Sequence, residues 1–147
     1  GECQTMNAPQ NEFRCKLPAL SVNEGFCRAL VSAFCAQYDP NIEELADIKG
    51  AVSEAVTNCI VHAYGGRGGV IYITVGLYAE RWIRVEIRDR GCGIPDIAAA
   101  MQPLYTTDRT GERSGMGFSV MESFMTRLHV SSRVGEGTRV VMWKKLA

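Results

Sequence analysis

Residues 53–64 read SEAVTNCIVHAY, a helix by apolar spacing that nevertheless carries a carboxylate, a carboxamide and an imidazole. Glu54, Asn58 and His62 recur every four residues, which lines them along one stripe of that helix. Val52, Val56, Cys59, Ile60 and Ala63 surround the stripe and mark it as the margin of a core. Polar groups there cost free energy unless something hydrogen-bonds or coordinates them.

The bulk properties narrow what that something is. A chain of 147 residues suits one domain, residues 1–147, large enough to bury a real core. Formal charge balances at zero, so composition gives no broad pull toward nucleic acid or membrane, and recognition is expected at a local site. No apolar run reaches membrane-spanning length and no signal-peptide pattern opens the chain, which leads to the expectation of a cytoplasmic protein. The polar stretch GECQTMNAPQN, residues 1–11, is expected to be disordered. The six cysteines show neither CxxC pairing nor metal-ligand spacing. Cys27, Cys35 and Cys59 fall in helical segments as small hydrophobes, with reduced thiols as the default.

Outward from the opening helix, the elements follow in order. Phe13, Cys15 and Leu17 alternate with charged neighbours, the period of a half-buried strand. SVNEGFCRALVSAFCAQY reads as a helix capped by Ser21 and Glu24 in capping-box spacing, with Phe26, Leu30, Ala33 and Phe34 on its apolar side. Asp39-Pro40 ends it and starts the helix that reaches about Tyr64. After GGRGG, VIYITVGLY and WIRVEIRD form a hairpin. GMGFSVMESFMTRL reads as a helix with Phe118, Met121, Phe124, Met125 and Leu128 inward. HVSSRV and RVVMWKKL make a last hairpin around GEGT. The order predicts a two-layer α+β sandwich, helices on a mostly antiparallel sheet.

Two glycine clusters could carry chemistry. In DRGCGIPD, Gly91 and Gly93 let the backbone turn sharply beside a flat ligand, and Asp89 at the strand end can accept a hydrogen bond. In TGERSGMGF, Gly115 and Gly117 open a helix whose N–H groups can face an anion, with Arg113 able to add a charge-assisted contact. An ordinary turn or cap explains either cluster taken alone. No Walker GK[ST] follows, and no HRD or DFG segment is present.

In combination and order, these segments resemble the N, G1 and G2 boxes of the GHKL ATPase superfamily. SEAVTNCIVHAY, RDRGCGIPD, QPLYTT, ERSGMGFSVMESFM and GEGTRV are similar to the SpoIIAB family of sporulation anti-sigma F factors and serine kinases. The resemblance runs from about Phe13 to Trp143.

It implies a Bergerat (GHKL) ATP-binding sandwich with a mixed, mostly antiparallel sheet and helices on one face. It further implies ATP/ADP and Mg²⁺ as ligands, with Asn58 holding the metal and Glu54 as the base for a serine hydroxyl. Asp89 would bind the adenine amino group, with Gly91, Gly93 and Thr138 around it. Thr106, Thr107, Arg113, Ser114, Gly115, Met116 and Gly117 would contact the nucleotide, the last three through backbone amides. Residues 101–115 would form a mobile cover. The implied partners are sigma F, the anti-anti-sigma factor SpoIIAA as substrate, and a second copy in a homodimer through the first strand and helix. Glu24 and Arg28 match positions used for partner contact. No direct nucleic-acid or membrane partner is implied. Two alternatives stay open at this point: an RsbW-type kinase of a stress response, and an anti-sigma module that binds nucleotide without transferring phosphate. The compact GGRGG link and Cys92 between the G1 glycines depart from the family pattern.

Overall fold

Among the described residues, inward side chains of five strands meet the helices in one core. The computed structural model describes residues 8–102 and 116–147. Strands β1 (Asn11–Pro18), β2 (Val70–Tyr78), β3 (Trp82–Arg88), β4 (Arg127–Arg133) and β5 (Gly137–Lys145) form a sheet in the order β1-β2-β3-β5-β4. Each of the four pairings is antiparallel. The α-helices among the described residues are α1 (Asn23–Cys35), α2 (Ile42–Thr57), α3 (Ile97–Ala100) and α4 (Phe118–Phe124). Val31, Ile48, Val52, Phe118 and Met121 from the helices share the core with Ile73, Val75, Val85 and Met142 from the strands. This is the two-layer α+β sandwich expected from the order of elements.

Side-chain hydrogen bonds and local pairing move several boundaries away from the sequence reading. Helix α1 begins at Asn23, and Val22 before it makes no side-chain cap. The Ser21/Glu24 capping box is therefore absent: Glu24 Oε1 instead accepts from Ser53 Oγ and pairs with Arg28 Nε at 3.1 Å. The capping box of this fold lies at α2, where Asn41 and Glu44 exchange hydrogen bonds of 2.8 and 2.9 Å. The buried stripe of α1 is Cys27, Val31, Ser32 and Cys35, while Phe26 is 55% exposed and Ala33 also faces outward. Small thiols let α1 approach α2 closely, and burial pushes them up to about 11 for Cys27 and about 12 for Cys35. Helix α4 stops at Phe124 because Thr126 N–H donates to Trp143 O at 2.8 Å and starts the β4–β5 ladder, which takes Leu128 into a strand. At the other end, Gln10 N–H donates to Leu77 O at 2.6 Å, so the chain is tied to the sheet from Gln10 onward.

The helix of the opening stripe changes its winding at the stripe itself. Helix α2 is α-helical to Thr57, and Asn58–Ala63 continues it as a single π-turn. Tyr64 N–H accordingly reaches back to Cys59 O, five residues away, at 3.2 Å. Such turns insert one extra residue into the helical row and occur often at functional sites. The strict four-residue row of Glu54, Asn58 and His62 is thereby broken after Asn58.

Candidate functional site

Among the described residues only Ser32, Asn58, Asp89 and Thr138 are buried and polar, and three of these four line one pocket. That pocket encloses about 340 Å³ between the π-turn, the loop after β3, the start of α4 and the beginning of β5. Most of the remaining wall is apolar, with Ala55, Ile87, Ile94, Phe118 and Val140. Apolar walls with a few convergent polar groups suit a flat, mostly uncharged ring system.

Asp89 is the floor of the pocket. It directly follows β3, is 6% exposed, and its Oδ1 accepts from Gly91 N–H at 2.9 Å and Thr138 N–H at 3.2 Å. The Cys59 thiol also hydrogen-bonds this carboxylate. Burial raises its carboxyl above the usual range, against the pull of those three donors. Burial also raises the neighbouring Cys59 thiol, and the charge of Asp89 adds to that effect.

The glycines around Asp89 are there because other backbone is. A Cβ at Gly91 would stand 2.3 Å from Ala63 O, and one at Gly93 would stand 2.2 Å from Arg133 O. Gly93 also has φ +78°, in the left-handed region. Cys92 N–H donates to Ala63 O at 3.0 Å, which joins the loop to the end of the π-turn. Tyr64 reinforces the join: its hydroxyl donates to Val70 O and accepts from Arg90 N–H, both at 2.7 Å.

Thr138 is held from behind by Ser132, which sequence reading did not single out. Ser132 Oγ accepts from Ile94 N–H at 2.8 Å, donates to Gly137 O at 2.9 Å and lies 2.8 Å from Thr138 Oγ1. A serine facing the core from β4 in a SSR stretch gives no signal of its own in sequence; only the β4–β5 register, pairing Ser132 with Thr138, reveals it.

Asn58 and Glu54 close the other side. Asn58 is 9% exposed and its Nδ2 donates to Met116 O at 2.5 Å, which orients the carboxamide. Glu54 lies beside Gly117, the residue before α4. His62 lines the pocket, and its backbone carbonyl accepts from the exposed Cys92 thiol at 3.3 Å.

The structure therefore brings Asn58, Asp89, Gly93, Met116 and Thr138 to one pocket, with Gly91 shaping its loop and Glu54 and Gly117 beside it. Thr106, Thr107, Arg113, Ser114 and Gly115 lie outside the described residues. Glu24 and Arg28 sit apart, in a groove of about 640 Å³ shared with Ser53, Thr57 and Val61. Among the described residues no group of three or more His, Cys, Asp or Glu could hold a metal, so a cation here would rely on the Asn58 carbonyl oxygen and on ligand oxygens. No described helix is long and apolar enough to cross a membrane.

Known proteins resemble this chain in sequence and fold. The family model described as the histidine kinase-like ATPase domain matches residues 17–144. An anti-sigma F factor of Clostridium acetobutylicum is 48% identical over 138 residues, covering 94% of this chain and 96% of that protein. Another, from Thermoanaerobacter pseudethanolicus, is 55% identical over 124 residues, covering 84% and 86%. Among solved structures, the RsbU and RsbW domains of Rv1364c from Mycobacterium tuberculosis superpose with a TM-score of 0.67 at 20% identity, over 95% of this chain and 33% of that one. A blue-light activated histidine kinase of Erythrobacter litoralis gives 0.57 at 22% identity, over 80% and 40%; both likenesses concern the fold. The chain belongs to the histidine kinase-like ATPase family and, within it, to the anti-sigma F factors.

Proposed function

We propose that this anti-sigma factor binds sigma F in an ATP-dependent manner and phosphorylates an anti-anti-sigma protein of the SpoIIAA type on serine. The observation that carries the reading is the convergence of Asn58, Asp89 and Thr138, buried polar groups from three distant parts of the chain, on one apolar pocket. Nucleotide binding follows from the family; Mg²⁺, serine as acceptor and the partner proteins are the proposed part.

The pocket residues fit the nucleotide. Asp89 offers a carboxylate to the adenine amino group, while Gly91 and Gly93 keep the loop backbone where side chains would collide with neighbouring chain. Asn58 has its amide nitrogen engaged by Met116 O, which turns the carbonyl oxygen away as a hard ligand suited to Mg²⁺. A bound Mg-ATP would supply the activated γ-phosphoryl group. Phosphoryl transfer then demands mainly alignment and charge neutralisation from the protein. Glu54, one helical turn before Asn58, is placed to take the proton of an incoming serine hydroxyl. Of the polar residues in SEAVTNCIVHAY, Asn58 would thus serve the metal and Glu54 the acceptor.

Glu24 and Arg28 hold each other in place on α1 and are the proposed partner contacts, with homodimerisation through β1 and α1. A nucleotide-binding module without transfer is the rival reading; Glu54 favours the kinase, since simple binding needs no base beside the metal ligand. Incubation with Mg-ATP and the anti-anti-sigma protein, followed by phosphosite mapping, tests the proposal. One phosphoserine on that protein is expected. Binding of ATP and sigma factor with no phosphate transferred would leave the binding module instead.

A further inference from the structure

The second face of the sheet carries a charge pattern that the nucleotide site does not use. Core residues such as Ile73, Val85, Ile87 and Met142 point to the helices, and the residues alternating with them point the other way. Among the described residues, no helix packs on that other face. By this alternation, every strand Arg and Lys except Lys144 lies there, against Glu12 and Glu86 as the strand acids. The whole chain has zero formal charge, so its charges are segregated by face.

One row crosses all five strands through directly opposed partners: Lys16, Tyr72, Arg88, Arg139 and Ser131. Arg139 pairs with Glu86 at 3.0 Å, and Arg84 takes the same carboxylate at 2.8 Å. Lys16, Arg88 and Arg90 have no carboxylate partner among the described residues. Arg88 and Arg139 are directly opposite, an arrangement of like charges that costs stability. The row runs into a shallow depression of about 530 Å³ where Arg88, Arg133 and Arg139 outnumber the two carboxylates present, Asp89 and Glu136, the latter 3.8 Å from Arg133.

We infer that this face docks an acidic segment of a partner protein, its carboxylates received by Lys16, Arg88 and Arg139. Charge complementarity selects the partner's chemistry: guanidinium groups in a row match carboxylates bidentately, and their mutual repulsion falls when an anion binds. The aromatic groups on the face argue for protein over single-stranded nucleic acid. Arg88 and Arg90 lie 4.9 and 5.0 Å from the Tyr72 ring centre, and Arg127 and Arg84 lie 5.2 and 5.8 Å from Trp82 and Trp143. The rings are already engaged by the chain's own cations and give bases no open stacking platform.

Fluorescence anisotropy with a labelled oligo-glutamate peptide on the full chain tests this. The double variant Lys16→Gln, Arg88→Gln should bind about tenfold more weakly at low salt, with a shallower salt dependence. Its Tm should stay close to that of the unmodified chain, because removing Arg88 relieves the opposition to Arg139 and gives up the contact with the Tyr72 ring. A control double variant, Lys49→Gln with Arg67→Gln, removes two exposed cations elsewhere and should bind as the unmodified chain does. Equal weakening by both double variants would show only general charge attraction and overturn the site. Stronger binding of an oligothymidylate of equal charge, or of phosphatidylserine vesicles, would overturn the assignment to an acidic protein.

Discussion

Glu54 fills the space beside Gly117 so closely that a Cβ built on Gly117 would stand 2.2 Å from its Oε2. Gly117 also has φ +69°, a left-handed conformation that a side chain disfavours. Gly117→Ala should therefore push the flexible end of Glu54 aside while the fold survives. Phosphate transfer should drop at least tenfold, a loss of about 1.4 kcal/mol in transition-state stabilisation. A transfer assay paired with a thermal melt checks this; full activity would show that Glu54 need not occupy the observed position.

Glu54→Gln keeps size and hydrogen bonding but removes the basic carboxylate. Transfer to the anti-anti-sigma protein should fall by about 10²–10⁴-fold, the usual contribution of a general base. Sigma capture in the presence of ATP should survive, because it takes no proton from serine. Joint loss of both activities would assign Glu54 a structural or metal-site role.

Asn58→Ala removes both the proposed metal ligand and the tie to Met116. Calorimetry should show Mg-ATP affinity reduced more than tenfold, with a much smaller change for ATP in the presence of EDTA. Equal losses with and without Mg²⁺ would reassign Asn58 to holding Met116 alone.

Asp89→Asn separates recognition from stability. Asparagine Oδ1 can still accept from Gly91 and Thr138, but its amide group no longer offers a carboxylate to the adenine amino group. Preference for ATP over GTP should fall, since leaving a buried polar group mispaired costs about 1–3 kcal/mol. The folded Asp89 carboxyl is raised above its ordinary 3.8, so the native state holds its proton to higher pH than the unfolded chain. Its contribution to stability is therefore most favourable in acid and declines as pH rises through the raised value. Melting curves should show the variant gaining Tm relative to the unmodified chain as pH increases from 3.8. A gap independent of pH would contradict the raised carboxyl.

Asn41→Ala breaks the capping box of α2. Loss of about 1 kcal/mol is expected, or roughly 2–4 °C in Tm for a chain of this size. Asn41 is distant from the pocket in sequence, and nucleotide affinity at temperatures well below Tm should stay unchanged.

Much of this was legible in the sequence, and the failures have local causes. β2 runs from Val70 to Tyr78, as the VIYITVGLY stretch indicates, because strand alternation is strong there. Asn58 and Asp89 stand out by residue type and place, Thr138 only through the family resemblance, and all three are buried in one pocket. Ser21 and Glu24 had capping-box spacing, but Arg28 and Ser53 compete for the same carboxylate, and tertiary contact decides. Asn41 and Glu44 had the same spacing and form the real box. Phe26 looked inward by type, yet the helix turns its cysteines to the core, since a close helix approach needs small side chains. The π-turn has no distinct composition and shows only in the backbone.

The contacts of Ser132 set the direction of a proton on the pocket floor. A hydroxyl has one hydrogen, and a backbone carbonyl can only accept. Ser132 donates its hydrogen to Gly137 O, so its contact with Thr138 requires Thr138 to be the donor. Thr138 Oγ1 is then left with lone pairs alone for whatever enters beside Asp89. The floor consequently speaks one polarity: a carboxylate and an oriented hydroxyl oxygen, both waiting for N–H or O–H. An adenine edge with its amino group, or a water bridging to it, answers that polarity; a guanine carbonyl meets oxygen against oxygen.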